Sequence, residues 1–395
     1  MAELRRVLGV RGATVVGLGA MLGTGVFAAW TPAFALAGSA LIAALAIAAV
    51  VAALNATSTA SLARVLPESG GAYAYGRAYL SRPAGAVAGY AFVLGKSASA
   101  GAAALTIGAY AWPGYERIVG LVAVAVALAL DLRGIVKSVR VTAVLVGFVL
   151  VVLGTLVAGA AVSDAASTSG AADLPTATGA GLVAAAGILF VAFAGYARIT
   201  VLGEEVRDPA RTIPRAMIAS FLIIIVVYAV LAIVIVRAVA SGLVLSAAPL
   251  ESIAASVGST GLQVLVRIGA VIAAGAVLLS LLAGIGRTLF AMGRGGDAPR
   301  ALSHVSAGTG VPARAEISAA VLAAVVVIVG GIGFALALSA ALILTYYGVA
   351  HLAVLARVRT GDFPRLLGAS ATLGLVGCLV VVVGLLLSTG ALLEV

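Results

Sequence analysis

The sequence predicts an all-α integral membrane protein with about eleven transmembrane helices. Three observations carry that expectation. First, 63% of the 395 residues are hydrophobic and only 10% are charged, with a mean hydropathy of +1.23. Soluble domains carry about 25% charged residues and about half apolar ones, so no soluble core could hide this much apolar surface and lipid must be the solvent. Second, the apolar residues fall into runs near the ~20 residues that a helix needs to cross a bilayer. Third, lysine and arginine are spread very unevenly between alternate loops.

Proline, glycine and charged residues divide the chain into spans at about 12–36, 39–63, 83–111, 117–131, 140–162, 178–203, 216–240, 262–291, 315–333, 335–356 and 366–388. The turn between the ninth and tenth is placed near Gly330-Gly331. The first run continues past Leu36 with no Ala-x-Ala site before a polar mature domain. It is therefore expected to stay as a helix and not to be removed as a signal peptide. The acidic, small-residue stretch 163–177 reads as an outer loop and 292–314 as an inner one, and no soluble domain is expected.

Orientation follows from the cations. With the N-terminus inside, the inner loops hold nineteen of the 24 Lys and Arg residues, and the outer loops or helix ends hold three, Arg117, Arg237 and Arg267. Cytoplasmic loops are enriched in Lys and Arg. The asymmetry therefore fits a multi-pass protein of the cell membrane with a cytoplasmic N-terminus. It also accounts for the +10 net charge without nucleic acid. Lys96 and Arg198 fall inside spans.

Other chemistry finds little footing. The single Cys378 leaves no disulfide framework and no cysteine metal site, and His304 and His351 are far apart in sequence. No metal and no cofactor are expected. An intramembrane enzyme would need paired carboxylates, a histidine cluster or a nucleophile with its base. The span interiors offer no Asp or Glu on this reading, so no enzyme is expected.

Backbone flexibility is the more informative signal. The first span contains GLGAMLGTGVF at 17–27, with Gly17, Gly19, Gly23 and Gly25 inside nine residues. Glycine costs a helix about 1 kcal/mol relative to alanine. In lipid an unwound stretch survives where it lines a cavity. A half-helix beginning near Gly25 would aim free N–H groups and a positive dipole end at a carboxylate. The alternative is that these glycines are notches for close helix packing. The sixth span carries Ala194-Gly195-Tyr196, a second candidate break half a chain away. Interruptions at matching places in two halves point to an inverted-repeat transporter with its site between them. Spans one to five and six to ten give halves of equal count, and an odd count inverts the second half.

Five motifs in order now carry a resemblance: GTGVF at 23–27, PESGGAYAY at 67–75, DLRGIVKSVRV at 131–141, GYARITVLGEEVRDPARTIPRA at 195–216 and GRTLFAMGRGGDAP at 286–299. With them the chain resembles the amino acid–polyamine–organocation transporter superfamily over nearly its whole length. The resemblance implies a 5+5 inverted repeat with discontinuous helices one and six, working by alternating access. One transmembrane domain would then hold a first repeat at about 12–162, a second at about 178–356 and an extra helix at about 366–388. It also implies an amino-acid substrate. Its carboxylate would lie at Gly23, Thr24 and Gly25, its amine at carbonyls near Ala20, Ala194 and Gly195, and its side chain against Phe193 and Tyr196. Polyamines or other organic amines are the rival cargo, and a non-transporting sensor that keeps the fold is the rival role.

There are departures. The family commonly has twelve helices, and eleven are read here. Sodium-independent members often carry a lysine in helix five, where this chain aligns Val149, and no lysine follows Lys137. Sodium-coupled relatives use paired Ser/Thr hydroxyls on helix eight, where only Ser280 sits mid-span. Lys96, halfway along the third span, is then a candidate coupling site, either carrying H+ or standing as a fixed cation where sodium would bind. A central lysine costs about 2.5–3.5 kcal/mol on insertion scales and is usually functional. The alternative is a structural lysine that snorkels or pairs with carbonyls. Arg198, with Glu204 and Glu205 close behind, reads as an intracellular gate ion pair. Asn55 falls inside a span and reads as an interhelical hydrogen bond, not a glycosylation site. A pocket of Ala, Gly, Val and a few aromatics favours a neutral amino acid; proton symport or antiport is the expected mode of transport, and oligomeric state is open.

Overall fold

The computed structural model describes residues 8–66, 70–133, 139–163, 174–200, 206–305, 311–388 and 390. Within them the first span is built from three pieces, α1 (Val10–Met21), α2 (Thr24–Ala28) and α3 (Trp30–Ala37). The second span is α4 (Leu41–Val65), followed by a short connecting helix, α5 (Ala72–Tyr79). Then come α6 (Arg82–Ala111), α7 (Glu116–Leu132) and α8 (Val139–Val162). The sixth span joins α9 (Gly179–Phe193) through a 3-10 turn to α10 (Ala197–Thr200). The chain continues with α11 (Pro209–Ala240), a short α12 (Pro249–Ser256), α13 (Thr260–Gly295), α14 (Ala313–Val329), α15 (Ile332–Arg359) and α16 (Arg365–Leu387).

Nine helical segments among the described residues are long and apolar enough to cross a membrane. The helices α7 and α14, 17 residues each, take the remaining two places, since a span can be as short as about 17 residues. The expected turn at Gly330-Gly331 separates α14 from α15.

The two interrupted spans run antiparallel and are tied at both ends. Where span one begins, Leu8 bridges Val206 beyond α10, and the Arg207 N–H donates to the Leu8 carbonyl at 2.8 Å. Where span one ends, Gly38 bridges Thr176 ahead of α9, and the Ser39 N–H donates to Pro175 at 3.2 Å. Gly38 sits at φ 48°, and a Cβ there would overlap the Pro175 carbonyl, so only glycine suits that crossing. These paired ties hold the inverted halves in register.

Small residues set how closely the bundle packs. Helix α6 lies against α13, α14 and α15. Gly95 meets Leu342 and Ile343, Gly101 meets Val326, and the hydroxyls of Ser99 and Ser339 are 2.6 Å apart in the buried seam. A second seam joins α4, α15 and α16. The fully buried His351 donates from Nε2 to Asn55 Oδ1 at 2.7 Å, and its Nδ1 accepts from the Ser58 hydroxyl at 2.9 Å. Cys378 donates from Sγ to the same amide oxygen at 3.3 Å. Asn55 is thus the interhelical hydrogen bond expected of it. Gly374 on α16 makes room, since a Cβ there would overlap the imidazole. Gly374→Ala is expected to push the ring off both partners and destabilise the protein by about 2–4 kcal/mol. Thermal unfolding in detergent measures this against Gly154→Ala, where nothing stands within 4 Å and little change is expected.

Two acidic residues are buried at span ends, outside the span interiors where none was expected. Asp131 at the end of α7 and Glu316 in the first turn of α14 are buried, at 7% and 6% exposure. Both lie within the expected boundaries of their spans, close to the ends. At the same end of the bundle, where most arginines gather, the Asp297 carboxylate is gripped by Arg77, by Arg82 Nε at 2.8 Å and by the Tyr73 hydroxyl at 2.9 Å. The clasp fastens the α5–α6 hairpin to the end of α13.

Candidate functional site

The site is built from the two interruptions. Helix α1 stops at Met21 because Leu22 (φ −81°, ψ 51°) and Gly23 (φ −123°, ψ −132°) leave the helical region. Helix α2 restarts at Thr24 and runs into α3 through Ala29, whose backbone is still right-handed helical. The glycines divide the two readings between them. Gly23 belongs to the break. Gly17 and Gly19 lie inside α1 as notches, the first against Ile199 and Ser220 and the second against Thr142.

The sixth span is interrupted differently. It tightens into the 3-10 turn Ala194–Tyr196 instead of opening into an extended gap. The two interruptions pack on each other. A Cβ at Gly195 would stand 2.5 Å from the Ala20 carbonyl oxygen, and one at Gly25 would overlap the Ala192 backbone. Glycine at these positions is what lets the backbones touch.

Polar atoms are left over at this meeting point. The Thr24 Oγ1 and the Tyr196 hydroxyl are buried without a hydrogen-bond partner of acceptable geometry. A buried, unsatisfied polar group costs about 1–3 kcal/mol. The Tyr196 ring lies between Phe221 and Tyr347, with centroids at 5.5 and 5.6 Å. Phe193 turns into an aromatic cluster, stacked on Phe221 and edge-on to Tyr228.

Lys96 is partly buried on α6. No carboxylate of the described residues is within ion-pair distance of it, and the like charge of Arg198 bears on it. The two intramembrane cations are thus brought into one electrostatic neighbourhood. Glu204 and Glu205, the expected partners of Arg198, lie outside the described residues. Val149, in the place of the helix-five lysine, is buried in the α8 face that packs on α1 and α13. Ser280 lies on α13 one turn from Val277, and Val277 presses against Gly23 at the break.

Two residues were missed by sequence reasoning. Val277 looks like any aliphatic residue of an apolar span. Tyr228 carried a usable signal, as the lone hydroxyl in the stretch FLIIIVVYAVLAIVIV. It is fully buried, and its hydroxyl reaches the Met21 carbonyl at 2.7 Å and the Ala192 carbonyl at 3.2 Å.

The chain is similar to known proteins over nearly its whole length. The model of the amino acid permease family matches residues 8–392. An uncharacterized transporter of Mycobacterium tuberculosis is 44% identical over 394 residues, covering 98% of this chain and 88% of that protein. The branched-chain amino acid permease of Bacillus subtilis is 28% identical over 333 residues, covering 77% and 70%. A solved structure, the substrate-bound outward-open state of a Na+-coupled sialic acid symporter, aligns with a TM-score of 0.62 over 97% of this chain and 90% of that one. At 13% identity that likeness is one of fold alone.

Proposed function

The chain belongs to the amino acid permease family and is a multi-pass membrane transporter of a small molecule; on that footing we propose that it carries a neutral amino acid across the cell membrane by alternating access. The contact between the two interruptions, with the buried Thr24 hydroxyl left over beside it, is the observation that carries this reading. In it, the substrate carboxylate lies at Gly23, Thr24 and Gly25, where the N–H groups of the α2 start are not used by a side-chain cap. The amine is held by carbonyls near Ala20, Ala194 and Gly195. The surrounding aliphatic and aromatic side chains, Val277 and Tyr196 among them, favour an uncharged substrate side chain. The similarity to a branched-chain permease makes an aliphatic amino acid the first one to test. The arginine asymmetry supports a cytoplasmic N-terminus.

Coupling to protons, or exchange, fits better than coupling to sodium. A hard cation needs a shell of oxygens. Against the α1 break, from α13, stands the aliphatic Val277, and Ser280 is the single hydroxyl in the middle of α13. Lys96 is the residue assigned to coupling. Lys96→Met is expected to reduce uptake driven by a pH gradient by at least about tenfold while leaving counterflow of labelled substrate in place. Proton-driven uptake that survives the substitution would remove Lys96 from the mechanism.

The test is uptake of a labelled amino-acid panel into proteoliposomes, with leucine, lysine and a polyamine as separate arms. Leucine uptake that neutral amino acids compete away is expected. Uptake confined to lysine or the polyamine would move the cargo to amines. Binding with no uptake or counterflow would make the chain a sensor.

A further inference from the structure

Tyr228 stands where both interruptions can be reached from one side chain. Its ring comes from the middle of α11 and packs edge-on against Trp30 of α3, with centroids 6.0 Å apart, and against Phe193 of α9 at 5.2 Å. Its hydroxyl has one proton and two acceptors. The Met21 carbonyl, at 2.7 Å, is the last of α1 before the break, and the Ala192 carbonyl, at 3.2 Å, is the last but one of α9. Carbonyls at the end of a helix have no partner within it. In a water-poor interior they must be satisfied from elsewhere.

We propose that Tyr228 is a positioning residue of the transport cycle, its hydroxyl pinning the end of α1 to α9 and able to pass between their two carbonyls as those segments move. In the conformation seen, the shorter bond fixes Met21. Movement of α1 away from α11 would lengthen that bond and leave the proton to Ala192, which is already within reach. The tie therefore satisfies a buried carbonyl on either side of the exchange. Without it, each state would expose an unpartnered oxygen. It also ties α11 to both broken spans through one atom, so that they respond together. No substrate contact is assigned to Tyr228. The inference rests on the transporter reading but not on the identity of the cargo.

Tyr228→Phe keeps the ring and removes the donor. The matched control is Tyr110→Phe. It deletes another fully buried hydroxyl, which donates to the Phe27 carbonyl at 2.8 Å and accepts from the Leu250 N–H at 3.2 Å, tying α2 to α12 and not to the α9 interruption. Hydrogen–deuterium exchange of the full chain in nanodiscs is read first. Tyr228→Phe is expected to speed exchange about tenfold in peptides spanning 18–27 and 190–197 together, while Tyr110→Phe leaves 190–197 unchanged. Uptake of labelled leucine is read second, with KM rising about tenfold for Tyr228→Phe at an unchanged amount of folded transporter. Exchange that is unaltered at both interruptions, that rises uniformly, or that rises equally in the control overturns the proposal. If leucine is not carried, the exchange pattern still decides, and failure of the cargo is told apart from failure of the tie.

Discussion

Gly25→Ala is expected to cut transport at least about tenfold while leaving a folded protein. The added methyl would land on the Ala192 backbone, and backbone cannot rotate out of the way as a side chain can. The start of α2 and the end of α9 must then separate. Overpacking of this kind costs about 1–3 kcal/mol, less than the 5–15 kcal/mol by which a domain is typically stable. The damage falls on the site. The N–H groups around Thr24 and the carbonyls around Ala194 belong to two segments held together by that contact. If the proposed site holds the substrate, displacing one from the other loses at least one hydrogen bond to it, or about tenfold in affinity. Uptake per folded molecule should fall by at least that factor. Gly275→Ala on α13, where nothing lies within 4 Å, should leave it unchanged. Wild-type uptake by the Gly25 variant would show that the two interruptions need not touch.

Asp297→Asn should loosen the clasp at the arginine-rich end and remove a pH dependence of stability. Burial disfavours the Asp297 charge. The hydrogen bonds from Arg82 and Tyr73 and the charges of Arg77 and Arg82 outweigh that, and they hold its carboxyl below its ordinary value. The ionised form is therefore favoured by folding. Its contribution is complete above the unfolded carboxylate value of about 4 and is lost as the pH falls through the lower folded value. At neutral pH the substitution is expected to cost about 1.5–3 kcal/mol, the range for hydrogen bonds to a charged group. The melting temperature of the wild type should fall below about pH 4 by more than that of the variant. Parallel pH profiles for the two proteins would mean that the clasp contributes nothing to folding.

Much of the fold was legible because lipid imposes simple rules. Apolar run length gave the spans, and Gly330-Gly331 marked the turn between α14 and α15. The glycine cluster marked the α1 interruption, and Ala194-Gly195-Tyr196 the second one. Sequence could not say which glycines unwind and which pack, because both roles ask only for a missing side chain. The answer lies in neighbours far along the chain: Val277 over Gly23, Ile199 against Gly17. Direction was equally hidden. Nothing in its apolar neighbourhood says which way Tyr228 points, and the packing of α11 on α1 aims its hydroxyl at Met21. The burial of Asp131 and Glu316 was missed because span ends are where water and protein compete for a carboxylate. His351 was read only as too far from His304 to form a cluster, and its network depends on Asn55 and Gly374, distant in sequence.

If the two touching interruptions form the proposed amino-acid site, it should work without sodium. Proteoliposomes loaded and diluted to impose either a pH gradient or a sodium gradient, with labelled leucine outside, test it most directly. Accumulation driven by the pH gradient, or exchange against internal leucine, with no response to sodium is the predicted result. Accumulation that requires the sodium gradient would contradict it and would require an oxygen shell that Val277 and the lone Ser280 do not supply.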